Sequence, residues 1–385
     1  MTLKRRDFLR LAAALPLTGT LGSVAFASPV GGSRNLLILV ELKGGNDALN
    51  TVVPYADGTY RRLRSRLALD RDAVLKLTDA TALHPSLEKL VPLWEAKQLA
   101  IVQGVGYPQP NLSHFRSFEI WDTASKSEEY LDDGWLARAF IKSPSPSSFA
   151  ADGVVVGAAD MGPLTGAGRA IALTKPEQFL RNARLARDES AQSRNPSLAH
   201  ILRVEREIVQ SADKLNAGRT FQATFPTGPF GNAIRTAAQL AANPAGIAVI
   251  RVTLGGFDTH ANQLGTHANL LRQLGEGLGA LREALVEIDR WDSTVIATYS
   301  EFGRRPAENQ SSGTDHGTAG AHLVMGGKVR GGLYGAAPRL DRLEGGNLPF
   351  GVDFRGYYAT FLDKWWGMDS AAILQGRFDK LDLLV

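Results

Sequence analysis

Residues Asn35 to Leu42 read Asn-Leu-Leu-Ile-Leu-Val-Glu-Leu, and Lys43-Gly-Gly-Asn-Asp47 follows at once. A strand with one wet face alternates apolar and polar residues. A near-continuous apolar run of strand length instead suits a strand buried on both faces, as in a parallel sheet. The pattern recurs at Leu99–Val105, with Gly104 and Gly106 at its end, and at Gly246–Leu254 and Ser293–Tyr299. Shorter versions stand at Val154–Val156, Leu323–Met325 and Lys328–Tyr334. Helical spacing lies between them. Leu87, Leu90, Val91 and Trp94 mark one face of Pro85–Lys97, where Pro92 predicts a kink. A further helix is expected to start near Ser113. His267–Trp291 carries a long stripe from Leu270 to Ile288, and Phe354–Trp365 reads as a terminal helix. Strands alternating with helices predict an α/β fold with a large, mainly parallel sheet flanked by helices. Residues 175–220 are charged, with helical spacing at Leu198, Ile201, Leu202, Val204 and Ile208, and predict a helical insertion packed as a cap.

Charge and cysteine content narrow the chemistry. The chain's net charge is +4, but Lys4, Arg5, Arg6, Asp7 and Arg10 supply +3 of it. The remainder is nearly neutral and has no basic run interleaved with aromatics, so no nucleic-acid partner is expected. Cysteine is absent, which excludes disulfides, thiolate metal sites, iron–sulfur clusters and a thiol nucleophile. A metal would be held by His, Asp, Glu, Asn or hydroxyl groups.

The N-terminal segment reads as a targeting signal. Lys4-Arg-Arg-Asp-Phe-Leu-Arg10 precedes a small apolar stretch from Leu11 to Phe26 that Pro16, Gly19 and Gly22 interrupt. Ala25-Phe-Ala27 is a small-x-small cleavage site. The paired arginines followed by x-Phe-Leu resemble the twin-arginine export signal. The expectation is a signal peptide over residues 1–27, export by the twin-arginine translocase, and a periplasmic domain over 28–385 with no stable membrane anchor.

Polar loops follow the strands. Ligands of open parallel sheets bind outside the carboxyl ends of the strands. The loop after the first strand carries Asn46, Asp47 and Asn50, and that after the second Asn111, Ser113 and His114. The third is Gly255-Gly-Phe-Asp-Thr-His260. The fourth is Ser300-Glu-Phe-Gly-Arg304, continuing to Asp315-His-Gly317 and His322. Five of the seven histidines fall in or just after these loops, so parallel strands would gather them on one edge. Singly, each has an ordinary role. Asp258 and Asp47 suit helix caps, Ser113 an N-cap, Asp315 a turn, and Arg304 solvated charge. His84 and His200 read as structural or exposed. His267 reads as at most a neighbour of the site.

Together the leader, Glu41-Leu-Lys-Gly-Gly-Asn-Asp-Ala-Leu-Asn-Thr-Val-Val-Pro54, Gln103-Gly-Val-Gly-Tyr-Pro-Gln-Pro-Asn-Leu-Ser-His-Phe-Arg-Ser117, Gly256-Phe-Asp-Thr-His-Ala-Asn262, Ser300-Glu-Phe-Gly-Arg304 and Gly313-Thr-Asp-His-Gly317 resemble the domain-of-unknown-function family 1501. That family resembles the alkaline-phosphatase-like superfamily of phosphatases, sulfatases and phosphomutases. The resemblance implies an alkaline-phosphatase-like fold with one or two divalent metals at the strand ends. It implies a hydrolase of phosphate or sulfate esters acting on a small anionic ester. The alternative is a non-catalytic periplasmic binding or assembly protein on the same fold. The residues it points to as metal-holding are Asp47, Asp258, His260, Glu301, Asp315, His316 and His322, chiefly Asp258, His260 and His316. Ser113 would be the nucleophile, with His114 beside it. The metal's identity among Zn, Mn, Mg and Ca stays open. Where the superfamily has Asp-His-Gly directly after a strand, this chain has Glu301-Phe302-Gly303, and Phe302 offers no ligand atom. The resemblance therefore leaves one of two metal positions without its usual ligands, where Arg304 could contribute positive charge in place of a metal.

Overall fold

Strand β1, Leu36–Lys43, lies inside the sheet, and its side chains divide between two cores. Leu36, Ile38, Val40 and Leu42 face one core and Leu37 and Leu39 the other, so the apolar run is continuous because both faces are covered. The computed structural model describes residues 35–174 and 219–385. The leader, His200 and nearly all of the expected 175–220 cap lie outside the described residues.

Eight further strands join β1: β2 (Leu99–Gly106), β3 (Ala151–Val156), β4 (Ala170–Leu173), β5 (Ile247–Gly255), β6 (Thr294–Tyr299), β7 (Gly320–Met325), β8 (Gly332–Tyr334) and β9 (Val352–Asp353). The sheet order is β8-β2-β7-β6-β1-β5-β3-β4, with β9 also paired to β2. Pairing is parallel throughout except at β7, which runs antiparallel to β2 and β6. This is an α/β fold with a large, mostly parallel sheet flanked by helices. Because β7 reverses between them, β2 and β6 run the same way, as do β1 and β5. All four therefore end on one edge, where β7 begins.

Helices cover both faces. The helices at Pro229–Ala241 and Gln263–Glu287 bury Phe230, Ile234, Leu271, Leu274, Leu278 and Leu281 against one face. The opposite face is packed by α1 (His114–Thr123), by Trp135–Lys142 and by Phe354–Thr360, through Ile120, Trp121, Trp135, Tyr357 and Tyr358. The Pro85–Lys97 pattern resolves into a 3-10 turn, Pro85–Leu90, and a short α-helix, Val91–Glu95. Leu87 leaves helical geometry, and Pro92 sits in the first turn of the second piece, where its missing N–H is not needed. The long helix starts at Gln263 rather than His267, because Asn262 in the left-handed region and the Ser311 and Ser312 carbonyls end the preceding loop. The terminal helix passes into a π-turn at Phe361–Trp365. No helix among the described residues is long and apolar enough to cross a membrane.

Candidate metal centre

Three strand-end loops are pulled together by one side chain. Gly44 and Gly45, after β1, have φ of +121° and +75°, the left-handed region that side chains rarely enter. Their two carbonyls accept from the Arg304 guanidinium, Gly45 O at 2.7 Å from Nε and Gly44 O from Nη2. The same guanidinium donates to Thr314 O at 2.8 Å, to Phe257 O at 3.2 Å and to Asp258 Oδ1 at 2.6 Å. Glu301, wholly buried after β6, accepts from the Gly44 amide at 2.9 Å. The loops after β1, β5 and β6 are thus one unit. The loop after β2 joins through α1, where Ser117 donates to the Glu301 carbonyl.

Ligand atoms converge on that unit. His114 Nε2 lies 3.4 Å from Asp258 Oδ1, and His316 Nε2 lies 3.2 Å from the same oxygen. The three atoms are within 4.8 Å of one another. His260 Nε2 is 3.0 Å from both Asp258 Oδ1 and His316 Nε2. The far sides of two rings are committed. His114 Nδ1 stands 2.7 Å from Glu301 Oε1, and His316 Nδ1 stands 2.8 Å from the Leu112 carbonyl. Both partners accept, so each Nδ1 carries a proton, and in the neutral form each ring would turn its Nε2 lone pair inward. His114 Nε2 is buried and has no hydrogen-bond partner. In the neutral form two lone pairs would face one carboxylate oxygen, an arrangement that a cation among them relieves. A tetrahedron with bonds of about 2.0 Å has edges of about 3.3 Å, close to the separations from Asp258. The donors are nitrogen and oxygen without sulfur, a set that suits Zn²⁺, Mn²⁺ or a harder ion. The residues present therefore fit a divalent metal.

The electrostatics agree. Burial opposes ionisation of Asp258, but the hydrogen bond and charge of Arg304 outweigh it and hold its carboxyl at about 2. The hydrogen bond to Glu301 raises the His114 imidazole above its usual range, against the opposing effect of burial. Phe302 packs against both rings, 4.8 Å from that of His114 and 4.5 Å from that of His316, while the two histidine rings meet edge to face at 4.4 Å. The cleft is open, with 46% of the Asp258 side chain, 26% of His114 and 22% of His316 exposed.

The other candidate residues are placed as follows. Asp315 is exposed and 3.6 Å from His260 Nδ1, beside the cluster. Glu301 supports His114 from behind. Asp47 is outside: its buried carboxylate pairs with Arg64 at 2.6 Å, accepts from Gln263 at 2.5 Å and caps a short helix at Leu49 N. Burial would raise it, but the Arg64 charge and hydrogen bond bring it below the usual range. His322 is also outside. It sits in the aromatic core against Trp121 and Tyr357 with neither ring nitrogen partnered. Ser113 is exposed at the N-terminus of α1 and makes no capping hydrogen bond, so its hydroxyl is not tied to the helix. Gln263 escaped notice in the sequence. It bridges Asp47 to Thr259 and Thr314, and glutamine in a helix's first turn carries no pattern that would reveal it.

Several solved structures are similar. A sulfatase from Pseudoalteromonas sp. matches at 10% identity and TM-score 0.43, covering 92% of this chain and 72% of its own. A phosphonate monoester hydrolase from Silicibacter pomeroyi matches at 12% and 0.42, covering 89% and 75%. A protein in the alkaline phosphatase superfamily from Vibrio parahaemolyticus matches at 9% and 0.41, covering 90% and 70%. No curated protein sequence matches. The family described as "Protein of unknown function (DUF1501)" matches residues 34–376, a span that takes in all four ligand-bearing loops. The chain is therefore a member of the DUF1501 family.

Proposed function

We propose that this protein is an exported, metal-dependent hydrolase of phosphate or sulfate esters. His114, Asp258 and His316 would hold one divalent ion, with His260 alongside. The observation that carries this reading is the inward-facing pair of Nε2 atoms, one of them buried without a hydrogen-bond partner, both within 3.4 Å of Asp258 Oδ1. A bound divalent ion would neutralise charge on the ester's oxygens and lower the barrier to attack. The remaining work falls to the chain. Ser113 stands where a helix N-terminus favours an anion, its hydroxyl uncommitted to capping. Glu301 holds the His114 proton on Nδ1 and so keeps Nε2 available. Asp315 faces His260 at the open mouth of the cleft.

The test is metal content and turnover together. Purified protein should hold stoichiometric metal and hydrolyse an aryl phosphate or aryl sulfate ester, while Ser113→Ala should keep the metal and lose turnover. Absence of both metal and turnover after reconstitution with Zn²⁺, Mn²⁺, Mg²⁺ and Ca²⁺ would reject the reading. Export rests on Arg5-Arg6-x-Phe8-Leu9 and Ala25-x-Ala27. Replacing both arginines by lysine should leave the product in the cytoplasm, and N-terminal sequencing of exported wild type should begin near Ser28.

A further inference from the structure

We propose that Arg304 is a built-in second cation of this centre, so that the site takes one divalent ion and not two. The inference rests on the metal-centre reading and deepens it. Arg304 is 2% exposed. Its guanidinium lies among five oxygens: the carbonyls of Gly44, Gly45, Phe257 and Thr314, and Asp258 Oδ1. Four carbonyls and a carboxylate are the hard-oxygen set that otherwise collects calcium or magnesium. Here a fixed positive charge fills it. The residue is also anchored through its backbone, by a bridge to His316. It thus links both sides of the cluster.

Two consequences follow from the geometry. A second divalent ion near Asp258 would meet a buried charge of its own sign, and Phe302 fills the adjoining position with a ring that has no ligand atom. Arg304 also gives all its close contacts to the protein, so it acts as a positioning residue. It presents Asp258 Oδ1 to the two histidines and supplies a fixed positive field beneath an anionic ester, without gripping the ester itself. Only a planar fork can span oxygens contributed by four separate backbone positions, and an ammonium cannot.

The experiment counts ions and then attempts chemical rescue. Wild-type apoprotein is saturated with Mn²⁺ or Zn²⁺, freed of excess by gel filtration, and assayed by elemental analysis and, for Mn²⁺, by electron paramagnetic resonance. One ion per chain, with no spin-coupled Mn²⁺ pair, is expected. Two ions per chain would overturn this inference alone; no ion at all would overturn the metal-centre reading and this inference with it. Arg304→Ala should weaken ion binding about 10-fold or more, and guanidinium at a few millimolar should restore it to within about 3-fold. Arg304→Lys should be weakened similarly and gain nothing from guanidinium. Wild-type affinity in Arg304→Ala, or a loss that guanidinium does not reverse, would overturn the proposal. Should Arg304→Ala fail to fold, the wild-type ion count decides it.

Discussion

The identity of each histidine's partner separates those that offer a nitrogen to the cleft from the one that fills the core. His114 and His316 both give Nδ1 to an acceptor and keep Nε2 for the cleft, whereas His322 gives nothing to anything. Three single substitutions should therefore behave unequally. On the proposed reading each of His114→Ala and His316→Ala removes one of three ligands around a single position and should lower metal affinity by roughly 100-fold. His322→Phe should leave metal content unchanged, because the ring lies in apolar surroundings against Trp121 and Tyr357, where a phenyl group fits. Isothermal titration of the three variants with Zn²⁺ checks the ranking, and equal affinities across them would reject the ligand assignment. The same residues show what the sequence disclosed. His260, His316 and Asp258 were legible because Asp-x-His and Asp-His-Gly each follow a strand. Asp47 sits in an equally polar strand-end loop, but its partner Arg64 lies 17 residues along and no periodicity links them. His322 follows loops rich in ligands, yet lies on β7 with its side chain turned into the aromatic core.

Among elements, the decisive contact is between the loop after β1 and the loop after β5. A Cβ on Gly44 would overlap the Asp258 amide nitrogen, and the φ of +121° already disfavours any side chain. Gly44→Ala must therefore shift one loop against the other. The fold should survive, because β1 and β5 pair in register along seven positions below the loops. The site should not: Zn²⁺ affinity is expected to drop about 10-fold or more while the far-ultraviolet circular dichroism stays that of wild type. Unchanged affinity would show that the loops are not coupled through this glycine. The strands that build this edge were legible as apolar runs because each is buried on both faces. The reversal of β7 was not, since a six-residue strand carries no direction in its sequence. It depends on how the short return from His316 meets the space between β2 and β6. The break within Pro85–Lys97 was legible from Pro92, although the backbone departs from helical geometry earlier, at Leu87.

For the whole molecule, buried histidines set the response to acid. Burial pushes His84 and His267 down to about 4 and His322 to about 3, partly opposed by nearby Asp47 in the first two. In the unfolded chain these groups protonate near 6.5. Below that pH the unfolded state binds protons that the folded state refuses, so stability falls as pH drops from about 6.5 toward 4. The sign is that of a depressed folded pKa: the stability is present above the unfolded value and lost below it. His114 acts in the opposite sense. Its folded pKa is raised, so its contribution is full at low pH and fades as pH rises through the folded value. Buried Asp122, pushed up to about 8, also opposes them between pH 6.5 and 4, because its folded form binds a proton that the unfolded chain does not. Three depressed histidines outweigh this raised carboxyl, so the net slope is downward. Each of His84 and His267 accounts for on the order of 3 kcal/mol between neutral pH and 4, at about 1.4 kcal/mol per pH unit. Urea unfolding of metal-free protein should therefore give a midpoint that falls steeply between pH 6.5 and 4.5. The measurement is made in chelator, so that any bound metal adds no term of its own. His322→Phe should flatten the slope by about one proton's worth, and a wild-type midpoint that rises on acidification would show that these histidines are not held neutral by the fold.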